Sequence, residues 1–112
     1  MHFHQIYKWF KLILIYKIIS YKITCYCSAC NYPKGSTQTA SGETATEGVT
    51  VAVHQSKYSK NKEIYIEGIG SRKIQDKHKN APNVIDVYVG KRSECTCSSH
   101  PFSGRMCDVI GM

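Results

Sequence analysis

The chain has 112 residues, of which 42% are hydrophobic and 21% charged, the length and composition of one small globular domain with a single modest core. No stretch reaches 18 uninterrupted apolar residues, so an ordinary transmembrane helix is not supported. The net charge of +7 is unevenly placed: residues 1–42 carry five lysines and no acid, whereas residues 43–112 carry ten basic and eight acidic residues. The body is thus nearly balanced, no arginine-rich stripe exists to track phosphates, and a nucleic-acid partner is not expected.

Residues 1–22 mix Ile, Tyr, Trp, Phe and Leu with Lys8, Lys11, Lys17 and Lys22. The longest unbroken apolar run, Leu12 to Tyr16, is too short for a normal signal-peptide core, and no small-x-small cleavage site follows it. Three readings stay open for this leader: a degenerate signal or anchor, an amphipathic surface helix with snorkelling lysines, and an extension outside the fold. Membrane contact, if any, runs through it, and the folded domain is expected over residues 23–112.

Ile23 to Cys27 is strand-like. Residues 31–48 are rich in Pro, Gly, Ser and Thr with one large hydrophobe, Tyr32, and read as a long loop of the kind that often carries function. From residue 49 the pattern is β. Val49 to Val53 alternates and is rich in β-branched residues. Ile64 to Glu67 is closed by Gly68-Ile69-Gly70, and Arg72 to Gln75 forms a short strand. Val84 to Val89 is the strongest strand and ends at Gly90, and Val109-Ile110 closes the sheet. Short strands punctuated by Gly, Pro and Asn predict an all-β fold, a small barrel of about six strands. Long helices are not supported outside the leader, and no repeat of fixed period is present.

The eight acidic residues are few enough for each position to inform. Asp86 interrupts an apolar strand, sharing a face with Val84 and Tyr88 while Ile85, Val87 and Val89 point the other way. A carboxylate there is partly desolvated, so it needs a partner or a raised pKa. A raised pKa suits a general acid near neutral pH; the plainer reading is an Asp accepting backbone N–H bonds from a turn. Asp76 follows the Arg72–Gln75 segment ten positions earlier, far enough for a turn and return to bring the two carboxylates together; the plainer reading is a solvated turn residue among lysines. His54 ends the Val49–Val53 strand. Glu43 and Glu47 are expected to be solvated.

Cys25, Cys27 and Cys30 form CxCxxC, Cys95 and Cys97 form CxC, and Cys107 stands alone. An even count permits three disulfides, and thiolate clusters at these spacings also suit structural zinc, with free thiols as the remaining option. The first three cysteines are expected near some of the last three. His100 stands three residues after Cys97, a weak candidate for a Cys–His pair.

The order CYCSAC, TASG, EGVTVAV, IYIEGIG and QDKHKNAPNVIDVYVG resembles the three-aspartate domain, a family related to the catalytic barrel of the membrane-bound lytic transglycosylase A proteins. The resemblance runs from about Thr24 to Ile110. It implies a six-stranded double-psi β-barrel acting on the glycan strands of peptidoglycan, outside the cell or in the wall; a monomer without a catalytic cofactor is expected. The short cysteine-rich form is similar to proteins of Gram-positive bacteria and their phages. Of the three aspartates that name the family, the third matches Asp86, the second matches Asp76, and the first is replaced by His54. The third aspartate implies a single general acid and base: it protonates the glycosidic oxygen and then deprotonates the sugar's own 6-hydroxyl, closing a 1,6-anhydro ring. The segment after the second aspartate, usually Gly-rich with a Lys-Gly pair, reads KHKNAP here. That departure and His54 keep a non-catalytic peptidoglycan-binding or structural module as the alternative, with a zinc-dependent nucleic-acid module as a third reading.

Overall fold

Period-two alternation governs most of the strand residues in the described part of the chain, residues 18–112 of a computed structural model. Six strands form: β1 (Ile18–Tyr26), β2 (Thr50–His54), β3 (Lys62–Ile66), β4 (Gly70–His78), β5 (Val84–Tyr88) and β6 (Met106–Ile110). The only helical elements among the described residues are three-residue 3₁₀ turns at Ser28–Cys30, Gln55–Lys57 and Cys97–Ser99. None of the helices among the described residues is long and apolar enough to cross a membrane. The all-β expectation therefore holds, with all six expected strands in place.

Each strand follows from its residues. In β2, Val51 and Val53 point inward and are fully buried, Ala52 points outward, and Gly48, at a positive φ of 82°, turns the chain into the strand. The same alternation puts Ile64 and Ile66 of β3, Ile85 and Val87 of β5, and Cys107 and Val109 of β6 into one interior cluster. Burying each large aliphatic chain contributes about 1.5–3 kcal/mol before entropy is counted.

The strands form one sheet whose hydrogen-bonded order, β1-β5-β2-β4-β3-β6, returns to its start. β1 runs parallel to β5 and β2 parallel to β4; the remaining four pairings are antiparallel. Every one of the six strands has a hydrogen-bonded neighbour on each side.

Two boundaries differ from the sequence reading. The first strand starts at Ile18, so residues 18–22, read as the end of the leader, are sheet. They are recruited by β6: Tyr21 lies opposite Cys107 and is buried to 1% exposure. The three leader readings for residues 1–17 lie outside the described residues. The segment expected as Arg72–Gln75 is the middle of a nine-residue strand, so Asp76 lies within β4 and not in a turn after it.

Candidate functional site

A row of side chains crosses four adjacent strands on the face opposite the interior cluster. Backbone register sets it: Thr24 of β1 is opposite Asp86 of β5, Asp86 is opposite Ala52 of β2, and Ala52 is beside Asp76 of β4. The two carboxylates are thus at one level with only a methyl group between them. Two strand spacings separate their backbones, about 9–10 Å. At that span they influence each other through the electric field and share no proton.

Asp76 reaches this face because β4 is irregular. Strict alternation would put Asp76 on the same side as Ile74, which is fully buried in the interior. The β2–β4 register instead shifts between Val51–Ile74 and Ala52–Asp76, leaving Gln75 as an extra residue. Such a bulge re-aims the side chains that follow it. Gln75 is itself buried, and its amide is fully used: Oε1 accepts from Thr50 Oγ1 at 2.6 Å, and Nε2 donates to Glu43 Oε2 at 3.0 Å and Asn61 Oδ1 at 3.1 Å. Glu43 also accepts from the Asn61 amide. It is exposed, as a solvated loop carboxylate should be, yet it also anchors the long loop to the bulge.

Asp86 is half-buried, and its hydrogen bond comes from the Thr24 hydroxyl, which donates to Oδ1 at 3.0 Å. Burial pushes its carboxyl up from 3.8 to about 6, with the negative charge of Asp76 adding to the rise; the Thr24 hydroxyl and His78 act against it. Asp76 is held by three donors: the Ala40 N–H at 3.1 Å, the Lys77 N–H at 3.0 Å, and the Tyr26 hydroxyl at 3.4 Å. Desolvation, followed by the Asp76 charge, holds the Tyr26 phenol far above its ordinary range, so it stays a donor.

The row has a different neighbour on each side. Toward one end Tyr26 and Tyr88 meet edge to face, ring centroids 5.2 Å apart, and pack with Ala45 of the long loop over Ala52. Toward the other end His54 of β2 is beside His78 of β4, ring centroids 5.9 Å apart. His54 is tied to its own turn: Nδ1 is 2.7 Å from Ser56 Oγ and accepts the Ser56 N–H at 3.2 Å. His78 spans two strands, donating from Nε2 to the Val84 carbonyl at 2.8 Å and accepting the Asn80 N–H at Nδ1.

The loop over residues 31–48 lies against this face. A single bridge between Gln38 and Thr44 makes a small hairpin whose tip presents the Ala40 N–H to Asp76 and the Ser41 N–H to the Gln75 carbonyl. A depression of about 220 Å³, lined by Ile19, Tyr21, Lys57, Lys62, Ile74 and Met112, opens elsewhere. Neither Asp86, Asp76 nor His54 lines it.

The cysteines form a second constellation where the chain leaves β1 and β5. Cys30 and Cys95 are joined in a disulfide, and Cys25, Cys27, Cys97 and Cys107 are free thiols. Cys27 and Cys97 are buried beside the disulfide, with Sγ of Cys30 3.6 Å from that of Cys27 and 3.8 Å from that of Cys97. The sulfurs of Cys27, Cys30 and Cys97 lie within 4.8 Å of one another, a grouping able to hold a metal ion. Cys25 packs against this cluster, while Cys107 sits apart in the interior core. One disulfide thus stands where up to three were open, and it joins the first and second cysteine groups as expected. Burial, with Cys27 adding, pushes the Cys97 thiol up to about 11, the wrong direction for a nucleophile. His100 Nδ1 is occupied by the Phe102 N–H, so the Cys97–His100 pair gains no support.

The structure therefore brings Asp86 and Asp76 to one row and puts His54 at its flank. Thr24, Tyr26 and His78 were not singled out from sequence. Thr24 and Tyr26 owe their place to register with strands 50 or more residues away. His78 was hidden in a basic stretch, and its i+2 spacing from Asp76 on a strand was the available signal. No protein-family model and no curated protein matches the sequence.

Proposed function

We propose that this chain is a glycan-cleaving domain of lytic transglycosylase type acting on peptidoglycan, built on a six-stranded double-psi β-barrel. The observation that carries the reading is Asp86, a carboxyl raised to about 6 and half-buried on the face opposite the interior cluster, with a second carboxylate at the same level. Support for the architecture comes from the closed order of strands and its two parallel pairs, β1–β5 and β2–β4.

At pH 7 a carboxyl with a pKa of about 6 is protonated in about a tenth of molecules, against about one in 1,600 at 3.8. Protonated Asp86 gives its proton to the glycosidic oxygen as the bond from that oxygen to the sugar's anomeric carbon breaks. The resulting carboxylate then takes the proton of the sugar's 6-hydroxyl while that oxygen bonds to the anomeric carbon. Asp86 ends protonated, no water is consumed, and a 1,6-anhydro ring is the product. A single carboxyl suffices, unlike the two-carboxylate hydrolases. In this reading Thr24 orients the Asp86 carboxyl, and burial, with the Asp76 charge adding to it, keeps its pKa up. The cysteine cluster is structural, tying together the segments that follow β1 and β5, the strands carrying Thr24 and Asp86.

A second reading, a wall-binding module without activity, is favoured by His54 standing where the resemblance expects a carboxylate. Incubation with purified sacculi separates the two. Release of 1,6-anhydro muropeptides supports cleavage; sedimentation with sacculi and no release supports the binder.

A further inference from the structure

The cysteine cluster has more order than one disulfide requires. Cys27, Ser28, Ala29 and Cys30 make a C-x-x-C turn closed by the Cys30 N–H donating to the Cys27 carbonyl at 3.0 Å. The Cys27 N–H in turn points at Cys30 Sγ, 3.5 Å away. A backbone N–H directed at a sulfur stabilises negative charge there. Cys95 and Cys97 arrive on the facing segment, with the Cys95 Cα 4.9 Å from that of Cys30. The two segments are latched independently of the sulfurs: Ser28 N–H donates to the Gly90 carbonyl at 3.1 Å, and the Arg92 N–H donates to Ser28 Oγ at 3.1 Å.

We propose that Cys27, Cys30, Cys95 and Cys97 form a four-thiolate structural zinc site when the Cys30–Cys95 disulfide is reduced. With zinc–sulfur bonds of about 2.3 Å, a tetrahedron has sulfur–sulfur edges of about 3.8 Å. Two of those edges already exist, Cys27–Cys30 at 3.6 Å and Cys30–Cys97 at 3.8 Å. The third sulfur pair, Cys27 and Cys97, falls within 4.8 Å. Cys27 and Cys97 are 0% and 2% exposed and Cys30 is half-buried, so three of the four sulfurs sit inside, and Cys95 closes the site from its exposed side. Four thiolates and one zinc ion carry two net negative charges, and Arg92, hydrogen-bonded through its backbone to Ser28, brings a positive side chain to this segment.

The chemistry balances with a named reductant. A water-soluble phosphine takes up oxygen from one water to become its oxide, and its two electrons convert the Cys30–Cys95 disulfide to two thiols. Zinc then binds the four sulfurs as their protons leave to solvent. Cys25, whose sulfur is outside the three-sulfur grouping, and Cys107, in the interior core, are not ligands. The same four residues therefore support two states, a disulfide in an oxidising setting and a metal in a reducing one. This inference stands whether or not the chain cleaves glycans.

Cobalt(II) reports the site directly. The full chain, reduced with phosphine under argon, is titrated with Co²⁺ and followed by absorption. One equivalent giving intense tetrahedral d–d bands with sulfur-to-cobalt charge transfer, bleached by one equivalent of Zn²⁺, is the expected result. Cys95→Ser should lose the four-sulfur spectrum, and Cys25→Ser and Cys107→Ser should keep it. The wild-type titration needs no variant to fold: absence of cobalt uptake, or only the weak bands of oxygen ligation, overturns the proposal. Loss of the spectrum in Cys25→Ser with retention in Cys95→Ser overturns the ligand assignment.

Discussion

Replacing Asp86 by asparagine should stabilise the protein at pH 8 and change little at pH 4. The carboxyl is raised from 3.8 to about 6, chiefly because burial disfavours its charged form. Between those two pH values the folded chain binds more protons than the unfolded one, so stability falls as pH rises, and above pH 6 the penalty is complete. At 1.36 kcal/mol per pH unit the full penalty is about 3 kcal/mol. The asparagine side chain removes the charge and keeps an oxygen for the Thr24 hydroxyl, whose opposing effect is already contained in the net rise. The gain at pH 8 is then about 3 kcal/mol, or about 15 °C in Tm for a domain of this size. Urea denaturation of wild type and Asp86→Asn at both pH values, with the disulfide intact, measures it. An asparagine variant no more stable than wild type at pH 8 would refute the claim that this carboxylate is held against its solvation preference.

Asp76→Asn removes a negative charge that helps hold Asp86 up, so the Asp86 titration followed by carboxyl-carbon NMR should move to lower pH; an unmoved titration would separate the two carboxylates. Gln75→Leu removes the acceptor of the Thr50 hydroxyl proton and one partner each of Glu43 and Asn61, and should cost about 1–3 kcal/mol in denaturant unfolding. Unchanged stability there would mean the bulge is held by backbone alone. Cys95→Ser opens a loop spanning a 65-residue separation, and under oxidising conditions should lower stability by about 4 kcal/mol on the chain-entropy view. A loss below about 1 kcal/mol would indicate that the Ser28 latch already holds the two segments together.

How much of this was legible in the sequence depended on whether the signal was local. β2 and β5 could be read because Val51, Val53, Ile85 and Val87 alternate over short runs with glycines at Gly48 and Gly90. The partial desolvation of Asp86 could be read for the same reason, as an acid within an apolar strand. The start of β1 could not, because Ile18 to Lys22 has the same aliphatic, aromatic and lysine mixture as the residues before it, and only pairing with β6 marks it as sheet. The early part of β6 was missed because Met106 and Asp108 are exposed and only Cys107 alternates inward. β4 was cut short because its outward residues are polar and the extra residue Gln75 breaks the period of two. That same bulge decides where Asp76 points, so meeting of the two carboxylates could be guessed from distance along the chain but its geometry could not. The grouping of the cysteines followed from their spacing, whereas the exclusion of Cys107 required the interior packing.

The central claim is that Asp86 cleaves glycan strands by protonating the leaving oxygen and then closing the sugar on itself. Digesting purified sacculi in heavy-oxygen water with wild type and Asp86→Asn, and weighing the released glycan ends by mass spectrometry, tests it most directly. The expected result is unlabelled 1,6-anhydro ends from the wild type, most abundant at and below pH 6, and about 10²–10⁴-fold fewer from a folded Asp86→Asn protein. Labelled reducing ends, or equal release by Asp86→Asn, would contradict it.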